Sequence, residues 1–296
     1  MNIVYIIGGI IVAIIAFIIL RLRGGSQRST TPSTPTISTT PTTPLTPPPV
    51  STSTPTTPAT PSTPTTTTTP TTTPTPAPST SIVRKSTSAL SSTEWDNFKV
   101  AVTTLISNGT YGQLVAIHSN PAHRMHGTSR PPVNVERFLP WHRAYLHTLE
   151  KELQNVDNSV SIPYWDWIND RGIPPELSSF LGTAQSRSPR GPSSLPGSLT
   201  TINNQSAYTA FTQELEDGPH NSVHGWVGGD MGSLPDAPGD PLFWMHHAMI
   251  DKIWHDWQQT HPGEVPNLSG IDATMDPWSE TASFVNDLQN LGYTYQ

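Results

Sequence analysis

Ten of the eleven histidines fall into two stretches of this 296-residue chain, and each stretch ends in a segment patterned as a helix. The first holds His118, His123 and His126 and then "RFLPWHRAYLHTLE", with His142 and His147. The second holds "PHNSVHGWVGGDMG", with His220 and His224, and then "DPLFWMHHAMIDKIWHDWQ", with His246, His247 and His255. Neutral imidazole is the commonest protein ligand for copper, zinc and iron. Two clusters, each able to supply three such ligands, predict two metal ions rather than one. No cysteine occurs, which excludes disulfides, thiolate metal sites and cysteine nucleophiles. All-imidazole ligation suits copper, zinc or iron, and spacing alone does not choose among them. A catalytic zinc site keeps three protein ligands and an open position, but no HExxH signature is present.

The elements that must position these rings are helical. His220 and His224 are four residues apart, so on one helix both project from the same face. His246 and His247 point about 100° apart on a helix, so one of the two is expected to face the core. Asp251 lies one turn beyond His247 and is a candidate to orient its ring. His147, His255 and His261 read as packed or surface residues. Ser91-Ser-Thr-Glu94 is a capping box ahead of Trp95, Phe98, Val102 and Leu105 at helical spacing. Asn108-Gly109 ends that helix, and a short one over roughly 110–118 places His118 near its C-terminal end. Pro140 suits a first helical position, opening a helix striped with Leu146, Leu149 and Leu153 that carries His142 in its first turn. Residues 206–216 form another helix, Pro219 starts a short one carrying His220 and His224, and Pro241 opens the last, over about 241–259. Long Gly/Pro/Ser-rich loops span 168–204 and 227–240. The expected fold class is therefore all-α: an antiparallel four-helix-bundle core whose interior hosts metal between facing helices.

Composition divides the chain into three expected domains. Residues 1–23 contain an uncharged, predominantly apolar run over 3–20. That is just long enough to cross a bilayer, and it exceeds the ~7–15 apolar residues of a signal peptide. It ends in Leu20-Arg21-Leu22-Arg23 without a small-residue cleavage site, so a retained transmembrane anchor is expected. Residues 24–82 are almost entirely Thr, Pro and Ser and hold 15 of the 32 prolines. They cannot bury enough apolar surface to offset their ordering entropy and are expected to form a disordered, semi-rigid stalk. Residues 83–296 hold all 22 acidic residues and twelve of the fifteen basic ones, a net charge of −10. An acidic domain without basic clusters argues against nucleic acid as a partner. Arg21, Arg23 and Arg28 would keep the end of the apolar run in the cytoplasm by the positive-inside rule. The stalk composition and the triplets at Asn108, Asn204 and Asn267 favour an extracytoplasmic catalytic domain instead.

The segments "RFLPWHRAYLHTLEKEL", "SIPYWDW", "PHNSVHGWVGGDMG" and "DPLFWMHHAMIDKIWHDWQ" together resemble the tyrosinase family of type-3 copper proteins, and the resemblance spans essentially all of 83–296. It implies a helical core around two coppers, each held by three histidines, with dioxygen as co-substrate between them. Carried over by motif, the first copper takes His118, His142 and one histidine between them. That middle ligand is His126 or His123, with His126 preferred because it lies closer to the FLPWHR segment. The second copper takes His220, His224 and His247. The thioether bridge of fungal and plant members is excluded by the lack of cysteine, as in many bacterial members. Tyr293-Thr-Tyr295 resembles the Tyr-x-Tyr element that closes the family's core, with Arg84 as its expected partner and no shielding domain beyond it.

Three functions are open to such a site: ortho-hydroxylation of monophenols, oxidation of o-diphenols to o-quinones, and reversible oxygen carriage. Fold does not choose among them. The resemblance assigns Asn221 and Glu216, with Glu214 as rival carboxylate, to hold a water that takes the phenolic proton. A positioned base matters because phenol has a pKa of about 10. Gly225 adds no charge beside the substrate. Small phenols and catechols are the expected partners, neutral or cationic in preference to anionic.

Overall fold

The computed structural model describes residues 82–127, 132–178, 180, 187–191 and 194–296. The apolar run and the stalk up to residue 81 lie outside the described residues. No helix among the described residues is long and apolar enough to cross a membrane.

The described chain is helix-rich, with one two-stranded sheet. Helix α1 is Ser92–Ser107, and Ser91 caps it reciprocally with Glu94. Helix α2 is Thr110–His118, α3 is Pro132–Val156, α4 is Tyr208–Leu215, α5 is Asn221–Val227 and α6 is Pro241–Thr260. Strand β1 (Ile82–Arg84) pairs in parallel with β2 (Tyr293–Tyr295), joining the two ends of the described domain.

Helix α3 is the central element and packs against α1, α4 and α6. Every residue from Asn134 to Leu146 is buried, as expected for a helix surrounded on all sides. In α6, every residue from Pro241 to Asp251 is buried as well. Asp240 caps α6 through the Leu242 amide at 2.9 Å, and Arg187 holds the Asp240 carboxylate with two hydrogen bonds of 2.5 and 2.6 Å.

Two expectations about proline need correction. Pro140 does not open a helix: it lies inside α3, eight residues past the start, so His142 is mid-helix. A proline there removes the amide that would bond the carbonyl of Glu136. The Tyr208 hydroxyl, donated from α4, occupies that carbonyl at 3.2 Å, and a tertiary contact overrides the local signal. Pro219 likewise does not start a helix. It lies within a π-helical turn, Glu216–His220, that runs from α4 into α5. The wider turn accommodates the missing amide, and the Asn221 amide bonds back to the Glu216 carbonyl.

Candidate metal centre

Each of the rings sits where a different local device holds it. His118 closes α2, His126 lies in an irregular segment on the N-terminal side of α3, and His142 is mid-α3. His220 ends the π turn, His224 is one turn on in α5, and His246 and His247 are in α6. Donor nitrogens of His118, His126 and His142 lie within 4.8 Å of one another, and so do those of His220, His224 and His246. The two groups face each other: the His220 ring lies 5.8 Å from that of His126 and 6.4 Å from that of His142, between centroids, and His247 stacks on His142 at 4.4 Å.

Hydrogen bonds fix most of the tautomers. His118 Nδ1 donates to the Leu234 carbonyl at 3.0 Å, His142 Nδ1 to Phe138 at 2.8 Å and His224 Nδ1 to Met231 at 2.7 Å. His126 Nδ1 donates to Glu216 Oε1 at 3.1 Å, and His220 Nδ1 to Asn221 Oδ1 at 3.1 Å. A neutral imidazole that donates from Nδ1 carries its lone pair on Nε2, and this outer bond is the usual orienting partner of a metal-bound histidine. Burial, followed by the neighbouring rings, holds His118, His142 and His220 far below the ordinary histidine pKa. Burial lowers His224 to about 4.

The Nε2 atoms therefore make a donor set that fits cations. Those of His118 and His126 face each other at 3.2 Å. Two lone pairs so aimed repel unless a cation lies between them. The Nε2 atoms of His142, His220 and His246 are buried without a hydrogen-bond partner among the described residues, so each is either a lone pair open to a metal or an unpaired N–H.

Several residues differ from expectation. His246 and His247 are both buried and both face the cluster, because α6 runs into the site with its whole circumference covered. Distance groups His246 with His220 and His224, whereas the resemblance named His247; the latter places Nε2 3.3 Å from His224 Nε2. Asp251 does not orient His247. It accepts from Arg143 at 2.5 Å, Arg84 at 3.3 Å and the hydroxyls of Tyr293 and Tyr295 at 2.6 Å each. Two guanidiniums outcompete one imidazole for a buried carboxylate. His123, the alternative to His126, points away and pairs its Nδ1 with Asp276 at 2.5 Å while stacking on Trp141. Glu216 is buried and accepts from His126 and, through both oxygens, from the Gly127 amide at 2.9 and 3.0 Å. Its rival Glu214 is exposed. No sequence signal marks the carbonyls of Met231 and Leu234, because any residue type presents a carbonyl. Yet this one short segment holds a ring from each group.

Asn221 and Gly225 are exposed, and Asn221 lies at the open side of the site. A cavity of about 280 Å³ opens there, lined by His118, His126, His220, His224 and Asn221 on one side and by the Met231–Ala237 segment on the other. A larger cavity of about 830 Å³, between the end of α6 and residues 286–294, contains none of these rings.

Two opposed histidine clusters in a helical core define a dinuclear metalloprotein. The family model "Common central domain of tyrosinase" matches residues 108–202 and 193–260. The tyrosinase of Streptomyces antibioticus is 33% identical over 258 residues, covering 67% of this chain and 93% of that one. A functional unit of octopus hemocyanin superposes with a TM-score of 0.62 at 24% identity, covering 73% of this chain and 68% of that one. Latent apple tyrosinase superposes with a TM-score of 0.52 at 22% identity, covering 75% and 64%. The chain belongs to the tyrosinase family of type-3 copper proteins. Its metal is copper, its two histidine clusters are positioned for a dinuclear centre, and it is a tyrosinase-like copper oxidase.

Proposed function

We propose that this protein uses dioxygen to hydroxylate monophenols ortho to the hydroxyl and to oxidise o-diphenols to o-quinones, from an antiparallel four-helix core. The observation that carries the reading is the 280 Å³ cavity, whose walls include four of the copper-facing histidines. A single aromatic ring fits such a space and reaches the donor nitrogens directly. An oxygen carrier would keep organic substrates away from the same atoms.

When bound, the copper pair supplies dioxygen activation. The proposed ligands are His118, His126 and His142 on one side and His220, His224 and His247 on the other. The chain's own part in the chemistry is to orient the phenol and take its proton. We assign the first role to Asn221, which lines the cavity and accepts from His220 Nδ1 through its Oδ1. Glu216, immediately behind His126, is the proposed proton acceptor, reached through water.

One observation favours a second reading, a catechol oxidase without hydroxylase activity. Both oxygens of Glu216 are already engaged by His126 and Gly127, and a carboxylate so used is an orienting group rather than a base. Glu216→Gln separates the two, since it keeps an acceptor for His126 but removes the charge. Loss of a positioned base costs about 10²-fold or more. Monophenol turnover is expected to fall by that factor while catechol oxidation stays within a few fold. Equal retention of both activities rejects Glu216 as the base, and a wild type inactive on monophenols establishes the second reading.

The acidic domain and the side-chain-free Gly225 favour neutral or cationic phenols; a higher kcat/KM for a phenolic acid than for tyramine would refute this. The apolar run over residues 3–20 is proposed to anchor the chain, with the catalytic domain outside the cytoplasm. Fractionation of the full chain, followed by protease treatment of intact cells, tests both parts.

A further inference from the structure

We propose that Trp167 is a positioning residue of the second copper centre: its indole N–H holds His246 in a tautomer that cannot ligate, leaving the third ligand position to His247. This rests on the dicopper reading above.

The adjacent histidines pose a selection problem. A ring nitrogen of His246 lies within 4.8 Å of donors on His220 and His224, and distance alone would recruit it. Its hydrogen bond says otherwise. Trp167 Nε1 donates to His246 Nδ1 at 3.2 Å, and both side chains are fully buried. The indole nitrogen is a donor only, so His246 Nδ1 must be the acceptor and must lack a proton. A neutral imidazole then carries its single proton on Nε2, which is buried without an acceptor among the described residues, and that nitrogen has no lone pair to offer a metal. Ligation through Nε2 would move the proton to Nδ1 and set two N–H groups against each other.

The contrast with the other rings is direct. All five of His118, His126, His142, His220 and His224 place Nδ1 against an oxygen acceptor, which leaves Nε2 free. His246 alone meets a donor at Nδ1. His247 Nδ1 has no partner among the described residues, so His247 is free to present an Nε2 lone pair beside His224. Trp167 is held in place to impose this choice. The Trp165 amide donates to the Met245 carbonyl of α6 at 3.0 Å, and the Trp165 indole donates to Asp170 at 3.1 Å. The turn carrying Trp167 is thus fastened to the residue preceding His246.

Two measurements on the full-length protein test the proposal. In the metal-free protein, ¹⁵N–¹H correlation spectra of the histidine rings report tautomers, with the His246 signals assigned by their loss in His246→Gln. His246 is expected as the Nε2–H form, opposite to the other site histidines; an Nδ1–H form overturns the proposal without any change at Trp167. The second measurement counts tightly bound copper per folded chain by chelator competition, with circular dichroism confirming the fold of each variant. Wild type and His246→Gln are expected to hold two coppers and His247→Ala one. Trp167→Phe combined with His247→Ala is expected to bind the second copper at least tenfold more tightly than His247→Ala alone, because His246 is released to take over. Loss of one copper in His246→Gln with two retained in His247→Ala would overturn the assignment, as would a double variant no tighter than His247→Ala. A wild type that binds fewer than two coppers removes the dicopper reading itself.

Discussion

Gly127 has no room for a side chain. A Cβ there would lie 2.5 Å from Val135 Cγ2, 2.8 Å from Val135 Cα and 3.0 Å from Glu216 Oε2. The Cα is backbone of α3 and cannot yield, so Gly127→Ala must push His126 and Glu216 apart. Overpacking of this kind costs about 1–3 kcal/mol, and loss of the orienting bond to a metal ligand costs about 10–100-fold in affinity. The expected outcome is a lower urea midpoint together with one weakened copper, read by chelator competition; unchanged copper affinity would show that Glu216 does not orient His126. The histidines carry a second prediction at this scale. Burial lowers His224 to about 4, against about 6.5 for an unfolded histidine. The folded pKa is depressed, so between these values the unfolded chain binds more protons than the folded one, and stability falls as pH drops. His118, His142 and His220 shift the same way. The metal-free protein should therefore lose thermal stability steadily as pH falls from about 6.5 to 4, with little change above 6.5. A flat melting temperature across that window would mean that the apo site is open enough to hold charged rings.

Elements that sequence announced correctly are those whose signals are local. Ser91 and Glu94 cap α1 as the box pattern requires, α2 ends at His118, and Asp240-Pro241 opens α6. Pro140 misled because its missing hydrogen bond is repaired from 68 residues away, by the hydroxyl of Tyr208. Nothing in the window around Pro140 records that. Asp251 misled for the same kind of reason: its spacing from His247 is right for one turn of helix, but Arg84 and Arg143 arrive from β1 and α3. The histidine clusters were legible because ligands must be particular residue types, whereas their carbonyl partners at Phe138, Met231 and Leu234 need not be. The repair of Pro140 makes a quantitative prediction. Tyr208→Phe leaves the buried Glu136 carbonyl without a donor, a cost of about 1–3 kcal/mol. In a Pro140→Ala background, the restored amide supplies that donor, and the same substitution should cost markedly less. A double-mutant cycle in urea measures the coupling; additive effects would mean that Tyr208 stabilises α3 by packing alone.

At the scale of the molecule, the two ends of the described domain and its two most buried helices meet at a single carboxylate. Arg84 in β1 makes a two-bond salt bridge to Glu150 of α3 at 3.0 Å, reaches Asp251 of α6 and lies 3.6 Å from the ring centroid of Tyr293 in β2. Arg143 of α3 bonds the other oxygen of Asp251 at 2.5 Å and stacks over Trp254 at 3.5 Å. Burial alone would raise the Asp251 carboxyl; Arg143, Arg84 and the two tyrosine hydroxyls bring it below the ordinary range instead. The charges are fully desolvated, so their worth lies in being paired. Removing one partner strands the others in a medium that cannot solvate them, and such a break costs about 3–5 kcal/mol. Lys252 and Asp256, one residue further along α6, form an ion pair of similar length, 2.7 Å, at the surface. Solvent screens that pair, and its loss should cost under about 1 kcal/mol. Asp251→Ala is therefore expected to lower the unfolding free energy in urea several-fold more than Asp256→Ala. It should also release β1 and β2 together, seen as faster hydrogen exchange at the Ile82 and Gln296 amides, which bond the Gly292 and Arg84 carbonyls. Equal, small effects of the two substitutions would show that the parallel strand pair closes the domain without the buried charges.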